Sequence, residues 1–426
     1  MTKVFFQTHG CSVNFSETEQ MKGILAKWDF EIIGDMETAD VIIINVCTVK
    51  GENTALREIK KINEDYGTKK LIVAGCLTEE LIENVKEVRD DVSFINTDNI
   101  KRITEVVEEE INDNHIELLS KEKELKLNLP KIRKNPAVGI VPILNSCALN
   151  CSYCSVKEIK GELFSYPIED ITKEVEKCLN DGCKEIWITS QDNAAYGIEN
   201  KENKLPLLLN NILEINKDFF VRIGMMNPSN VLPILDPLVE IYKNKKIFKF
   251  LHIPVQSGNN KILRLMNRNY TVDDFKKIAN RFREAIPNIT ISSDIICGFP
   301  TETEEQFKDS LNLIKEIKPD VLNISRFMAR PGTKAAHMEG QIAGGVSKDR
   351  SRLLTDIFGN IARMQNEKWL DWEGEVLIDE IGKNDSFIGR NFAYKPVIVK
   401  GDFKLGDIVN VRIRSVTSYD LRAEDI

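Results

Sequence analysis

Short apolar runs alternate with charged amphipathic stretches through the first hundred residues. KVFFQTHGC (3–11), VIIINVCTV (41–49), KLIVAGCL (70–77) and VSFIN (92–96) predict strands. FSETEQMKGILAKW (15–28), ENTALREIKKINEDY (52–66), TEELIENVKEV (78–88) and IKRITEVVEEEI (100–111) predict helices. Alternation of this kind implies an α/β fold with a mostly parallel sheet covered by helices, here over residues 1–112. Residues 113–137 read as a linker, rich in Asn, Lys and Glu, with a short hairpin expected in ELKLNL. Its charge run reads as solvated surface, with Lys131, Arg133 and Lys134 as alternative phosphate contacts.

From residue 138 to 368 the alternation resumes in longer units. Strands are predicted in GIVPILN (139–145), KEIWITS (184–190), FVRIGMMN (220–227), FKFLHIPVQ (248–256), ITISSDIICGF (289–299) and VLNISRF (321–327), with helices between them. One of these helices opens with Pro300 and a Thr301/Glu304 pair, a helix-start pattern. Six such units imply a partial (β/α)6 barrel whose chemistry lies at the C-terminal strand ends. Beyond it, residues 369–426 switch to period-two alternation broken by Gly, Asn and Asp, the pattern of a small antiparallel β-barrel of about five strands.

The 426 residues are 42% hydrophobic and 29% charged, with net charge −8, so each region can bury a core. The acidic balance excludes bulk electrostatic capture of nucleic acid and requires any basic face to be local. No apolar run approaches the roughly 18–20 residues of a membrane span, and MTKVFFQTHG lacks the apolar core of a signal peptide. A soluble protein of the cytoplasm is expected. Nine cysteines, an odd number spread through a long chain, fit a disulfide framework poorly.

Three of those cysteines, Cys147, Cys151 and Cys154, form CxxxCxxC just after the first barrel strand. Sulfur ligation at this spacing can hold three corners of a cubane iron–sulfur cluster and leave one iron open. The alternative is a zinc site completed by a distant His or Cys. In radical S-adenosylmethionine (SAM) enzymes the open iron takes the amino and carboxylate groups of SAM, and Tyr153 matches the aromatic position beside its adenine. The other strand ends carry polar or Gly-rich segments: TSQDNAAYG with Ser190 and Gln191, NPS with Asn227, PVQSG with Gln256 and Ser257, and CGFPTE with Gly298. All are candidates for SAM contact, Gln256 and Ser257 at ribose hydroxyls and Gly298 by close backbone approach to adenine.

Cys11, Cys47 and Cys76 are far apart in sequence, yet each falls at the C-terminal end of a predicted parallel strand. Those ends share the sheet edge where open α/β folds place ligands, so three thiolates converging there can hold a second cubane. Asn14 and Asn45 are candidates to line the same crevice. Cys178, Cys183 and Cys297 read as packing thiols, and His9 and His252 as structural.

The chain resembles the methylthiotransferase family of radical SAM enzymes in THGCSVNFSETE (8–19), INVCTVK (44–50), AGCL (74–77), CALNCSYC (147–154), GFPTETEEQF (298–307), RFMARPGTKAA (326–336) and KDRSRLL (348–354), followed by a TRAM-like barrel. EIWITSQDNAAYG and RIGMMNP are most similar to the archaeal and eukaryotic branch, which acts on N6-threonylcarbamoyladenosine (t6A) beside the anticodon of tRNA. The resemblance implies two 4Fe–4S clusters and SAM as cofactors. The cluster on Cys147, Cys151 and Cys154 would reductively cleave SAM, and the resulting radical would take hydrogen from carbon 2 of the adenine. The cluster on Cys11, Cys47 and Cys76 would carry the sulfur that is methylated and inserted. A barrel mouth closed by the N-terminal domain would shield the radical.

Two positions depart from the family pattern. Ser146 stands where many relatives have Gly, and Lys160 where an Arg often precedes Gly161. From the charged end SYDLRAEDI, the membrane anchor of some eukaryotic members is not expected. The partners implied are tRNA carrying t6A, SAM, an electron donor and a sulfur source, with no membrane. Arg390, Lys395, Arg412 and Arg414 in the last barrel are the candidate RNA contacts. Two rival substrates share the clusters: isopentenyladenosine tRNA and a ribosomal-protein aspartate. A rival of another class is a non-catalytic iron–sulfur or zinc RNA-binding protein.

Overall fold

A computed structural model describes residues 1–425, and the side chains of all of these except 48–52 and 425. The end of the INVCTVK motif, residues 48–50, therefore lies outside the described side chains. The chain forms two compact units. One holds residues 1–134, 140–146 and 155–174; the other holds 135–139, 147–154 and 175–426. The strand Val138–Pro142 supplies its first two residues to the second unit and the rest to the first.

The first unit is built on a six-stranded sheet. Its order is Glu31–Ile33, Lys3–Thr8, Val41–Cys47, Lys70–Cys76, Val92–Asn96 and Glu117–Leu118, and every neighbouring pair is parallel. All seven residues of Val41–Cys47 are buried, as expected of a parallel strand covered on both faces. Successive side chains feed two cores. Ile43, Ile72 and Ile95 pack with Met21, Leu25 and Val106 on one face, while Ile42, Ile44, Leu71 and Phe94 pack with Ile59, Leu81 and Val85 on the other. Each such aliphatic side chain withdrawn from water contributes about 1.5–3 kcal/mol.

Glu31–Ile33 and Glu117–Leu118 are short edge strands that hydrophobic patterning does not announce. The hairpin expected in ELKLNL is not formed. Those residues make no strand, and instead Leu127 and the Lys126 ammonium are buried. Lys131, expected on a solvated surface, is likewise buried, 2.5 Å from Glu174 and 3.0 Å from the Ile140 carbonyl.

In the second unit the parallel strands Glu185–Thr189 and Phe220–Ile223 pair directly, and one parallel bridge, Val221 to Ile247, carries the run onward. Phe250–His252, Thr290–Cys297 and Val321–Arg326 continue it, again parallel. The helix Glu304–Ile317 does not start on the Thr301/Glu304 pair. Its cap is Thr303, whose hydroxyl accepts from the Gln306 amide while Gln306 Oε1 accepts from the Thr303 amide. Thr301 instead takes a left-handed φ of 68°, and Glu302 turns back to accept from the Gly298 amide.

The C-terminal segment closes as a five-stranded barrel in the order Glu373–Ile381, Ser386–Arg390, Pro396–Lys400, Leu421–Asp425, Ile408–Val416. It is antiparallel except between Pro396–Lys400 and Leu421–Asp425, which run parallel. Tyr394 and Leu377 pack on Phe248 and Phe250, joining this barrel to the parallel strands. Among the described residues no helix is long and apolar enough to cross a membrane.

Candidate functional site

In the first unit Cys47 and Cys76 are register partners at the ends of adjacent parallel strands, and Cys11 stands just beyond the third strand end. Cys11 and Cys47 are each the residue preceding a helix, Ser12–Lys27 and Thr48–Tyr66. The helix Glu79–Val88 starts three residues after Cys76. Helix N-termini favour anionic sulfur, so this sheet edge suits thiolates. Gly75 makes the register possible. It has φ of +111°, and a Cβ there would lie 2.3 Å from the Val46 carbonyl oxygen.

Asn14 reaches the first cysteine itself, its Oδ1 accepting from Cys11 Sγ at 3.3 Å, with Asn45 behind it. Both are wholly buried and lock the Cys11 turn to the Cys47 strand. Asn14 accepts from the Cys11 amide at 3.2 Å and donates to Asn45 Oδ1 and the Val46 carbonyl, both at 3.1 Å. Asn45 donates to the Asn14 carbonyl at 3.0 Å and to the Thr18 hydroxyl at 2.9 Å.

The three thiols shift one another's acidity. Hydrogen bonding from Cys47 is the main reason that the Cys11 thiol is lowered to about 5, against burial and helped by Lys160. The same partner lowers Cys76, and both bonds push Cys47 upward. Cys47 and Cys76 pack on Ile159, and the next residue, Lys160, is 1% exposed. Burial alone would depress the Lys160 pKa, yet Cys76, Glu17, Cys11 and Cys47 together raise it. Lys160, noted in the sequence only for its departure from Arg, lies beside the N-terminal cysteines.

Ser146, the other departure, has a left-handed φ of 73°, the conformation that Gly adopts without strain. Its hydroxyl donates to the Gly161 carbonyl, which offsets part of the roughly 1–2 kcal/mol cost of that backbone.

In the second unit the triplet loop is pinned along its length. The Ser152 amide donates to the Met266 carbonyl at 3.0 Å, its hydroxyl to Leu265 at 2.8 Å, and its carbonyl accepts from the Ala335 amide at 2.8 Å. The Leu149 amide points at Cys147 Sγ, 3.4 Å away. Arg268, which patterning did not single out, is buried beneath. It reaches Cys151 Sγ at 3.4 Å, the Pro254 carbonyl at 3.1 Å and the Tyr270 hydroxyl at 3.1 Å. Burial first, then the Asp192 carboxylate, pushes the Cys147 thiol up to about 12.

Asp192 was also missed, within a stretch read only as polar. It joins two strand ends, accepting from the Ala194 and Asn227 amides at 3.1 and 2.9 Å and from Asn230 Nδ2 at 2.7 Å. Ser190 and Gln191 precede it, Ser190 Oγ lying 3.1 Å from Asn193 Oδ1. Gln191 Oε1 is buried with no hydrogen-bond partner among the described residues. Tyr153 meets Phe299 edge to face at 6.5 Å. Gln256, at a left-handed φ of 69°, and Gly298 flank the strand Thr290–Cys297. Ser257 is buried, with its hydroxyl accepting from the Asn259 amide.

Three thiols, with an orphaned amide oxygen on Gln191 next to the Asp192 carboxylate that faces Cys147, fit a cluster with an open iron and a polar ligand. Among the described residues no group of His, Cys, Asp and Glu encloses a single metal ion.

The candidate RNA contacts divide. Arg390 is half-buried, paired with Asp379 at 2.9 Å, and lies over the Tyr394 ring. Lys395 is 3% exposed, with Nζ 2.8 Å from Asp320 and 3.0 Å from Asn366. Both cations are spent inside the fold. Arg412 and Arg414 remain partly exposed and share Asp371, with Glu373 beside the first and Glu424 beside the second. Cys178, Cys183 and Cys297 are buried.

The parallel strands with a cysteine triplet at their first exit define a radical SAM enzyme, and the comparisons agree. Residues 141–314 match the Radical SAM superfamily, 373–425 the TRAM domain, and 3–96 the Uncharacterized protein family UPF0004. The chain is 36% identical to the probable threonylcarbamoyladenosine tRNA methylthiotransferase of Methanothermobacter thermautotrophicus, across 99% of each chain. It is 38% identical to the corresponding Archaeoglobus fulgidus protein, across 97% of this chain and 96% of that one. It is 35% identical to the Homo sapiens enzyme, across all of this chain and 74% of that one. The chain belongs to the threonylcarbamoyladenosine tRNA methylthiotransferase family. Its fold is similar to that of the radical SAM methyltransferase TsrM from Kitasatospora setae, at TM-score 0.57 and 14% identity over 79% of this chain and 75% of that one. OxsB, a cobalamin-dependent radical SAM enzyme, matches at TM-score 0.51 and 11% identity over 86% and 56%.

Proposed function

We infer that this chain transfers a methylthio group to carbon 2 of t6A in tRNA, beside the anticodon. One observation carries the reading: two separate sets of three cysteines, each gathered at parallel-strand ends, in a chain that matches this family over its whole length. When bound, two 4Fe–4S clusters and SAM supply the radical that activates the carbon and the sulfur that joins it.

The chain's own groups place those cofactors. Cys147, Cys151 and Cys154 hold one cluster, with the Arg268 guanidinium fixing Cys151. Gln191 Oε1 offers a buried acceptor for a polar group of SAM. Tyr153, Ser190, Asn227, Gln256 and Gly298 are the remaining candidates for SAM contact, while Ser257 acts through its turn. Cys11, Cys47 and Cys76 hold the second cluster, Cys11 and Cys76 being favoured as thiolates by hydrogen bonding from Cys47. Arg412 and Arg414 are the tRNA contacts. Exposed ion pairs contribute little to stability, so these guanidiniums can exchange carboxylates for phosphates. The enzyme works in the cytoplasm, where its tRNA is.

The test is an anaerobic iron and sulfide count on reconstituted protein, in wild type and in Cys11→Ala/Cys47→Ala/Cys76→Ala. About eight irons falling to about four, with 5′-deoxyadenosine still formed and no methylthio-t6A in tRNA nucleosides, supports the reading. About four irons in the wild type overturns it. A product on isopentenyladenosine or on a ribosomal aspartate would reassign the substrate.

A further inference from the structure

Lys160 is a buried cation with no carboxylate of its own among the described residues. Its neighbours of like and opposite charge can be paired off one by one. Lys126 Nζ binds Glu17 at 2.8 Å, and also the carbonyl and hydroxyl of Thr97 at 2.8 and 2.9 Å. Lys123 Nζ binds Asp98 at 3.1 Å, whose other oxygen accepts from Asn145 Nδ2 at 2.7 Å. Both carboxylates therefore already hold a cation. Among the described residues Lys160 Nζ has only the Thr97 hydroxyl, 3.5 Å away. Burying an ammonium without a counter-charge costs several kcal/mol, and the fold keeps it with a side chain 1% exposed.

The anions that face this ammonium are Cys76, Glu17, Cys11 and Cys47. Ile159 packs against two of those cysteines, which fixes the next residue close to them. Its backbone is anchored as well, since the Lys123 ammonium donates to the Lys160 carbonyl. Three thiolates outweigh the positive charge of a cubane core, so the loaded site is anionic, and an anionic sulfur on the open iron adds to that charge.

We propose that Lys160 is a positioning residue of the N-terminal cysteine site, its buried ammonium being the fixed counter-charge of the cluster and of an anionic sulfur ligand on the open iron. The inference rests on the two-cluster reading above. A positive charge at this place favours the more negative, reduced state of the cluster and tightens binding of anionic sulfur. Arg at the same position would do the same, because charge and not the shape of the head is what the site uses.

The test isolates this cluster in full-length protein carrying Cys147→Ala/Cys151→Ala/Cys154→Ala, reconstituted without oxygen. The measurements are iron content, the midpoint potential by electron paramagnetic resonance titration, and the apparent Kd for sodium sulfide. Lys160→Met should lower the reduced-to-oxidised ratio at fixed potential at least tenfold, about 59 mV for a one-electron couple, and weaken sulfide binding at least tenfold. Lys160→Arg should stay within threefold of Lys160 in both. An unchanged potential and sulfide affinity in Lys160→Met overturns the proposal. If Lys160→Met retains no iron, Lys160→Gln is measured the same way. Iron lost in Met, Gln and Arg variants alike shows a packing role and overturns it; iron kept only by Arg supports it. About four irons in the Lys160 background here, together with about eight in the wild type, keeps the two-cluster reading standing whatever Lys160 does. A wild type with about four irons fails that reading instead.

Discussion

Replacing Glu17 by Gln removes one charge from a pair that has no access to water, and its cost can be worked from the structure. Glu17 and Lys126 lie 2.8 Å apart with side chains 2% and 6% exposed. Removing one partner of such a pair leaves an uncompensated buried charge, which costs about 3–5 kcal/mol. Lys126 keeps two Thr97 oxygens, so the lower end applies and about 3 kcal/mol is expected. Urea denaturation of the full chain followed by circular dichroism should show the midpoint falling with unchanged slope. Adding Lys126→Met should recover most of the loss, because a buried pair exchanged for apolar packing is close to neutral.

The pH dependence gives a second reading of the same pair. Burial works to raise the Glu17 pKa, but Lys126 and Lys160 outweigh it and hold it below 4.5. The wild-type advantage is therefore fully present above pH 4.5 and disappears as pH falls through the folded-state value. The Glu17→Gln curve should converge on the wild type in acid. A loss under about 1 kcal/mol at pH 7, or a double mutant no better than the single, would refute the counter-charge reasoning for this pocket.

Two further outcomes are expected. Glu185 is wholly buried, with Trp187 and Tyr394 as hydrogen-bond partners, and burial, then Asp379, raises its pKa from 4.5 to about 7. The folded chain thus keeps a proton that the unfolded chain gives up, so this group's contribution to stability falls as pH rises from 4.5 to about 7, by about 1.4 kcal/mol per pH unit at most. Glu185→Gln should flatten that slope in denaturation midpoints measured across the window; an unchanged slope would reject the assignment. Arg412→Glu with Arg414→Glu should weaken tRNA binding in filter or gel-shift assays and reduce its salt slope, while iron content stays as in the wild type. Unchanged affinity would remove this face of the TRAM barrel as an RNA contact.

The order of strands and helices, the barrel, the closing β-barrel and the six cysteines are all legible from period and spacing, because buried parallel strands must read as apolar runs and ligands must sit at their ends. That is a local property, and so is a triplet within eight residues. Lys160, Arg268 and Asp192 were not legible in this way. Each is one polar residue in a stretch whose pattern fits a solvated loop or helix face equally well. Its role depends on which distant atoms surround it: Cys76 and Glu17 for Lys160, Cys151 and Pro254 for Arg268, Asn227 and Asn230 for Asp192. Arg390 and Lys395 show the converse. Positive charge in a nucleic-acid-binding barrel reads as a phosphate contact until the fold brings Asp379 and Asp320 within 3 Å. Sequence by itself determined the main strands and helices and put six cysteines at strand ends. Only tertiary structure decided where each buried charge finds its partner, because the cost of burying charge depends on neighbours that are close in space and remote in the chain.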